Sequence, residues 1–337
     1  MLKHTRTVAA IAAASLLASA AAYANKGAEY KHHHEGHHKK FTLTGGATYL
    51  EPSFNGLDNY DIISTNAAGI NSVSTENLEQ SFNWGYFLGA NYRISHHYDV
   101  QATWAQINTS NDDSDTITGA TGGVTGIQTS NHEAISLAAG ANVTPDTRET
   151  LDYQVFDATL GQYHDITDML KTRLFAGIRY AKITTDVDNT YIQPGVSPAL
   201  FDNYDSSFSG VGPEAGLDLE YKIYQHFGVV GSLAAAFLVG NQESSSTVYG
   251  TFNGHENSVD SDDNTRLIPA VNAKLGANWE IPYNLHDWNF GVEAGYQVAY
   301  YFNVADQVQY SSSTQDVTHN YSNVGFMGPY LNFSAAF

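Results

Sequence analysis

The sequence predicts an all-β protein: a transmembrane antiparallel up-and-down β-barrel of about ten strands (8-12), with long extracellular loops and short periplasmic turns. Three observations predict it. Segments of alternating apolar and polar residues recur along the chain, as where Trp288, Phe290, Val292, Ala294, Tyr296, Val298, Tyr300, Phe302 and Val304 take every second position. The connectors between such segments are alternately long and short. The last segment alternates Leu331, Phe333, Ala335 and Phe337, and the chain ends on that phenylalanine.

The N-terminus gives the compartment. Lys3 and Arg6 precede an apolar stretch from Val8 to Ala22 and the small-x-small site Ala22-Tyr23-Ala24, so residues 1–24 read as a secretory signal peptide. No later stretch has the ~20 uninterrupted apolar residues of a membrane helix. The longest candidate, Phe227 to Gly240, is broken by Gly228, Gly231 and Ser232. Residues 25–40 read as a His-rich periplasmic tail and residues 41–337 as one barrel domain, since no Pro-rich linker divides them. Tyr (22), Phe (16) and Gly (29) are abundant, which favours strands and turns over helices. With no cysteine, an exported chain must draw its stability from a closed hydrogen-bond network rather than from disulfides.

The alternation places strands at 41–49, 82–94, 98–106, 153–163, 171–183, 207–223, 227–240, 265–281, 288–304 and 324–337. Most have the ~9–11 residues that a tilted strand needs to cross a bilayer. The second strand would show lipid Phe82, Trp84, Tyr86, Leu88, Ala90 and Tyr92; the eighth, Leu267, Val271, Ala273, Leu275, Ala277 and Trp279. Short turns fall at 95–97, 164–170, 224–226 and 282–287, and long loops at 50–81, 107–152, 184–206, 241–264 and 305–323. All long loops then share one side of the sheet, as in a membrane meander, whereas compact soluble domains rarely hold long structureless loops. Because an unpaired backbone group in hydrocarbon costs several kcal/mol, the first strand must pair with the last. The terminal Leu331, Phe333 and Phe337 resemble the signal read by outer-membrane insertion machinery, the first expected partner. Outer-membrane lipid and lipopolysaccharide are the others.

Charge sorts by face. The chain carries 35 acidic residues against 15 Lys and Arg, net −20. The long connectors hold 23 of the acids and a single base, Arg148. Such a surface attracts cations and excludes nucleic acid as a partner. The polar face of the strands mixes signs instead, and makes Arg93, Arg173, Arg179, Arg266, Lys274, Glu214, Asp218, Glu220, Glu280 and Glu293 the expected lumen-lining residues. The same face carries Gly85, Gly89, Gly177, Gly212, Gly216, Gly276, Gly291 and Gly295, read as free volume beside a charge ladder. Ten strands lie near the small end of the barrel range, so the expectation is a narrow path rather than a wide pore.

The tail contains His32, His33, His34, His37 and His38 around Glu35, a set able to hold zinc, copper or nickel loosely. The alternative reading is a disordered, pH-sensitive basic tail. No GxSxG elbow, HExxH pair or paired-carboxylate motif is present, and His132-Glu133 and His255-Glu256, with Ser130 and Ser258 nearby, are chance-level ingredients. The expectation is a protein that is not an enzyme and has no cofactor.

Several segments together resemble the Legionella-type major outer membrane protein (MOMP-like) family. They are Ala47-Thr48-Tyr49-Leu50-Glu51-Pro52, the run Leu174 to Ile183, Gly210-Val211-Gly212-Pro213-Glu214-Ala215-Gly216-Leu217-Asp218-Leu219, Gly231 to Ala236, and Gly291 to Gln297. The resemblance implies an outer-membrane barrel with porin activity, abundant at the surface. It also implies disulfide cross-linking, which this cysteine-free chain departs from, so a homo-oligomer would hold without disulfides. The expected function is a narrow, cation-preferring channel for small solutes. The alternative is a non-conducting surface barrel whose acidic loops bind lipopolysaccharide, divalent cations or a host partner.

Overall fold

The computed structural model describes residues 41–55, 60–65, 71–76, 80–114, 116–118, 124–129, 134–137, 142–192, 200–250, 256–283, 288–311 and 316–337. Its strands are β1 (Phe41–Asn55), β2 (Tyr60–Thr65), β3 (Asn71–Glu76), β4 (Asn83–Arg93), β5 (Tyr98–Ser114), β6 (Ile117–Thr118), β7 (Val124–Thr129), β8 (Ala134–Leu137), β9 (Asn142–Asp165), β10 (Leu170–Ile192), β11 (Leu200–Tyr224), β12 (Phe227–Gly250), β13 (Glu256–Tyr283), β14 (Trp288–Ser311) and β15 (Asp316–Ala336). Ten of them close a ring in the order β1-β4-β5-β9-β10-β11-β12-β13-β14-β15, antiparallel at every step. The expected pairing of first and last strands is present from Thr42↔Ala336 to Asn55↔Asn323. Phe41 and Phe337 complete it with reciprocal backbone hydrogen bonds of 3.1 and 2.9 Å.

The strands are much longer than the alternation of greasy outward positions predicts. β10 and β11 pair without a break from Leu170↔Tyr221 to Tyr191↔Leu200. A strand of 23 residues runs roughly 75 Å. Tilted by ~40°, it still rises about twice the ~25 Å apolar band of a membrane barrel. The upper half therefore stands outside the membrane, and the connectors expected at 184–206, 241–264 and 305–323 are mostly paired strand rather than loop.

The reason lies in an inversion of the pattern partway up. Low on β10 the exposed outward side chains are Leu174, Ile178 and Tyr180, while polar Arg173 and Arg179 are buried. Higher on the same strand Val187 and Tyr191 are buried, and Asp188 faces out. β11 does the same, with Val211, Leu219 and Tyr221 outward below and Leu200, Tyr204 and Phe208 inward above. The lower section is dressed for lipid and the upper section for water. Trp84, Leu275 and Trp279 are 65 %, 66 % and 62 % exposed in the lower band. Tyr49 meets Phe82 and Trp84 near one edge of it, and Trp288 stacks on Phe337 at the other, as aromatic girdles do.

The first two long connectors carry strands that stay out of the ring. β2 pairs with β3 and β7, and β7 with β8, as a separate four-stranded sheet. Ile62 of this sheet packs on a buried cluster of Ile117, Val143, Tyr191, Leu200 and Val248 at the far end of the barrel.

One outward assignment is corrected. β14 bulges between Tyr301 and Ala305, taking two more residues than β15 over that step, with Asn303 at φ 53°, and Val304 falls inside the bulge. Val304, expected on the lipid side with Phe302, is buried inside at 1 % exposure, and Ala305 to Val308 are buried as well. β13 and β14 pair only as far as Ala270↔Tyr301. Above that point the β14–β15 hairpin leans into the barrel, where the Asp306 backbone N–H donates to Ser206 Oγ of β11 (3.1 Å) and Ser244 Oγ of β12 donates to Asp306 Oδ2 (3.2 Å).

Candidate functional site

The lumen is layered. Lowest lies a charge network centred on Arg173, whose side chain is 1 % exposed. Its Nε donates to Asp99 Oδ1 at 2.9 Å, Nη1 to Asp218 Oδ2 at 3.0 Å and Nη2 to Thr159 Oγ1 at 3.2 Å. Asp99 also accepts from the Tyr163 hydroxyl (2.9 Å) and from Asn91 Nδ2. One guanidinium thus ties β4, β5, β9, β10 and β11 together. A turn of the ladder higher, Arg179 Nε and Nη2 grip Asp157 at 2.7 and 2.8 Å, and Nη2 reaches Glu214 Oε1 at 2.7 Å. On the opposite wall the Tyr330 hydroxyl donates to Glu293 Oε1 (2.7 Å), and the Lys274 ammonium rests 4.7 Å from the Phe87 ring and 5.8 Å from that of Tyr330.

The other expected lining residues lie outside this network. Arg93 sits 4.9 Å over the Tyr163 ring. Glu220 accepts from Asn278 (3.4 Å) near the periplasmic end, where Glu280 is also buried. Arg266 lies 3.8 Å over the Tyr321 ring, filling the gap where β13 and β14 part. Leu331, Phe333 and Phe337 are exposed on the outer face. The histidines at 32, 33, 34, 37 and 38, and residues 130–133 and 255, lie outside the described residues.

The glycines do not leave the lumen open. A Cβ at Gly161 would come within 2.2 Å of Arg173 Nε, one at Gly216 within 2.3 Å of the Phe175 ring, and one at Gly276 within 2.5 Å of the Tyr330 hydroxyl. They are sockets for large side chains arriving from neighbouring strands. The expected free volume is therefore mostly filled.

Above the charges an apolar layer crosses the barrel. The Tyr153 and Tyr301 hydroxyls are hydrogen-bonded at 2.8 Å, and β9 and β14 are five strands apart in either direction round the ring. Tyr153 also packs on Phe326 with ring centroids 4.3 Å apart. Leu50, Ile107, Ile183, Phe208, Leu238 and Ile268 surround them, all buried. Between this layer and the charges is a cavity of about 180 Å³, bounded by Tyr153, Phe326, Phe87, Arg179, Glu214 and Lys274 among others. Asp99, Asp157 and the two tyrosines are the residues that sequence reading missed. Their signal was inward parity, since Tyr301 shares a face with Glu293 and Gln297.

Outside the membrane band, three carboxyls have raised pKa values, Asp152 through burial, which Lys182 partly offsets, and Glu149 and Asp186 more strongly. Burial pushes Glu149 from 4.5 up to about 7, although Gln80 Nε2 donates to it at 2.7 Å. Asp186 is raised to about 7 first by burial and then by its hydrogen bond with Asp205, directly across the β10–β11 ladder. A carboxyl with a raised folded pKa holds its proton more tightly folded than unfolded, so it favours folding at low pH. For Glu149 that benefit is lost as pH rises from 4.5 to about 7, by about 3 kcal/mol. Amide protection factors, taken relative to the intrinsic exchange rate at each pH, are expected to be higher in the upper parts of β9 and β10 at pH 5 than at pH 8. Equal protection at both would show that these carboxyls are not proton-linked to folding.

The family described as Legionella pneumophila major outer membrane protein precursor matches residues 36–337. No curated protein matches the chain. Among solved structures, the outer membrane protease OmpT from Escherichia coli is similar at 13% identity and TM-score 0.46, over 88% of this chain and 97% of that one. The CymD monoaromatic hydrocarbon channel is similar at 11% identity and TM-score 0.33, over 89% of each chain. A Pseudomonas aeruginosa FadL homologue is similar at 9% identity and TM-score 0.26, over 88% of this chain and 89% of that one.

Proposed function

Because this chain belongs to the Legionella pneumophila major outer membrane protein family, and so to the outer membrane of a bacterium, we propose that its barrel is a channel for small solutes, closed in the state described and cation-preferring when open. The observation that carries this reading is the luminal cavity lying directly beneath the Tyr153–Tyr301 bridge. A barrel built only as a scaffold has no need of a chamber in its axis that holds charged side chains. Cation preference is supported by the exposed Asp112, Asp146, Asp152, Asp188, Asp205 and Glu243 on the upper strands, which concentrate positive solutes near the mouth.

Planar-bilayer recording of the purified barrel in a potassium chloride gradient tests this. The expected result is brief openings whose reversal potential lies toward the potassium equilibrium value. Openings that reverse toward chloride would overturn the preference, and silence even after the bridge is removed would overturn the channel. The second reading, a non-conducting surface barrel, is favoured by the loop sheet packed on the far end. It predicts that silence.

A further inference from the structure

The luminal cavity carries more negative charge than its own residues balance. Asp157, Glu214, Asp218 and Glu293 line it against Arg179 and Lys274. Arg173 adds a cation from below but brings Asp99 with it. Arg179 is committed to Asp157 and Glu214 through Nε and Nη2, while its buried Nη1 has no partner. Among the described residues no carboxylate lies within ion-pair distance of Lys274, whose ammonium rests against two aromatic rings. Enclosed negative charge in excess calls for a counter-cation.

Two acceptors wait on one wall. Glu214 Oε2 is buried with no hydrogen-bond partner, on a residue only 4 % exposed, and so is Asn272 Oδ1. They flank β12, where Glu214 pairs with Ala236 and Asn272 with Ala234. The remainder of the lining is largely apolar and aromatic, with Phe87, Ile107, Tyr153, Phe175 and Phe326. An orphaned buried acceptor costs about 1–3 kcal/mol, and an ammonium offers three N–H donors to relieve two of them at once. The aromatic walls favour the same cation through their ring faces.

We propose that this cavity binds a small organic monocation, a primary amine on an apolar or aromatic body, with its ammonium on Glu214 and Asn272 and its body against the aromatic side chains. The volume of about 180 Å³ is close to the ~150 Å³ that holds a benzene ring, so the ligand has on the order of ten non-hydrogen atoms. The site deepens the channel reading, and it rests on that reading only for how the amine arrives.

The test is calorimetric titration of the full barrel in lipid nanodiscs with phenethylamine, 3-phenylpropionate and toluene. Phenethylamine is expected to bind saturably at one site, and both others about tenfold or more weakly. Glu214→Gln is expected to weaken the amine by about tenfold or more, since the charge goes while the shape stays. Ala234→Leu fills the cavity from β12 without touching a charge and is expected to abolish binding of all three. Equal affinity for 3-phenylpropionate overturns the proposal. Equal affinity for toluene also overturns it, by showing that protons supply the balance. If Glu214→Gln loses its folded, heat-modifiable band, Asn272→Leu and Ala234→Leu decide instead, and unchanged amine affinity in either overturns the site. Binding without conduction would sink the channel reading alone, and conduction without binding would sink this inference alone.

Discussion

Arg173→Met is expected to destabilise the barrel by about 3–5 kcal/mol, the loss seen when one member of a buried charge network is removed. The size follows from what is stranded. Asp99 is 0 % exposed and accepts both Arg173 and Tyr163, and Asp218 is held between Arg173 and Ser232. Without the guanidinium two buried carboxylates face each other's side of the lumen with only neutral donors. Arg173→Lys is expected to rescue little, because a single ammonium cannot reach Asp99, Asp218 and Thr159 together. Asp99→Asn added to Arg173→Met is expected to recover part of the loss. Urea unfolding in lipid vesicles, followed by tryptophan emission, measures all three. A loss under about 1 kcal/mol for Arg173→Met would show that water replaces the guanidinium and that the lower lumen is wet.

Removing the bridge is expected to open the lumen. Tyr153→Ala with Tyr301→Ala deletes the two rings that meet across the ring of strands, and the double variant should conduct continuously where the parent opens only briefly. Tyr301→Phe separates packing from hydrogen bonding. It removes one hydroxyl and leaves the ring against Tyr153 at 5.7 Å, so it is expected to stay closed. Each alanine also costs about 3–5 kcal/mol of packing, while the backbone ladders around the barrel remain. A double variant that stays silent would place the barrier elsewhere, with the leaning β14–β15 hairpin next in line.

The strand positions within the membrane were legible because lipid imposes a one-sided rule on outward positions, which Trp84, Leu88, Leu275 and Trp279 obey. The length of the strands was not. Above the membrane the apolar positions move to the inner face, at Val187, Tyr191, Leu200 and Tyr204, while Asp188 and Asp205 turn outward. A stretch whose greasy face changes sides halfway reads as a strand followed by an acidic loop. The lumen was legible in parity but not in contact. Arg173, Arg179 and Glu214 were expected to face inward, but alternation says nothing about which strand lies opposite. Neither the Tyr153–Tyr301 bridge nor the arrival of Phe175 over Gly216 could be read from it. The burial of Val304 depends on a two-residue bulge, and no alternating pattern announces one in advance.

The pairing of Thr42 with Ala336 also fixes when the barrel can finish forming. Every other ladder of the ring joins strands that are neighbours in the chain or separated by one connector, and can form while the rest is still arriving. The closing ladder joins the two ends of the domain, so its loop-closure entropy is the largest and its contacts come last. Until then β1 and β14 or β15 present unpaired edges, which hydrocarbon does not tolerate and which invite pairing with another chain. The final residue, bonded through both backbone groups to Phe41, is thus the latch of a slow step, and a chain shortened by one strand would lack a membrane-compatible form at any stage of its assembly.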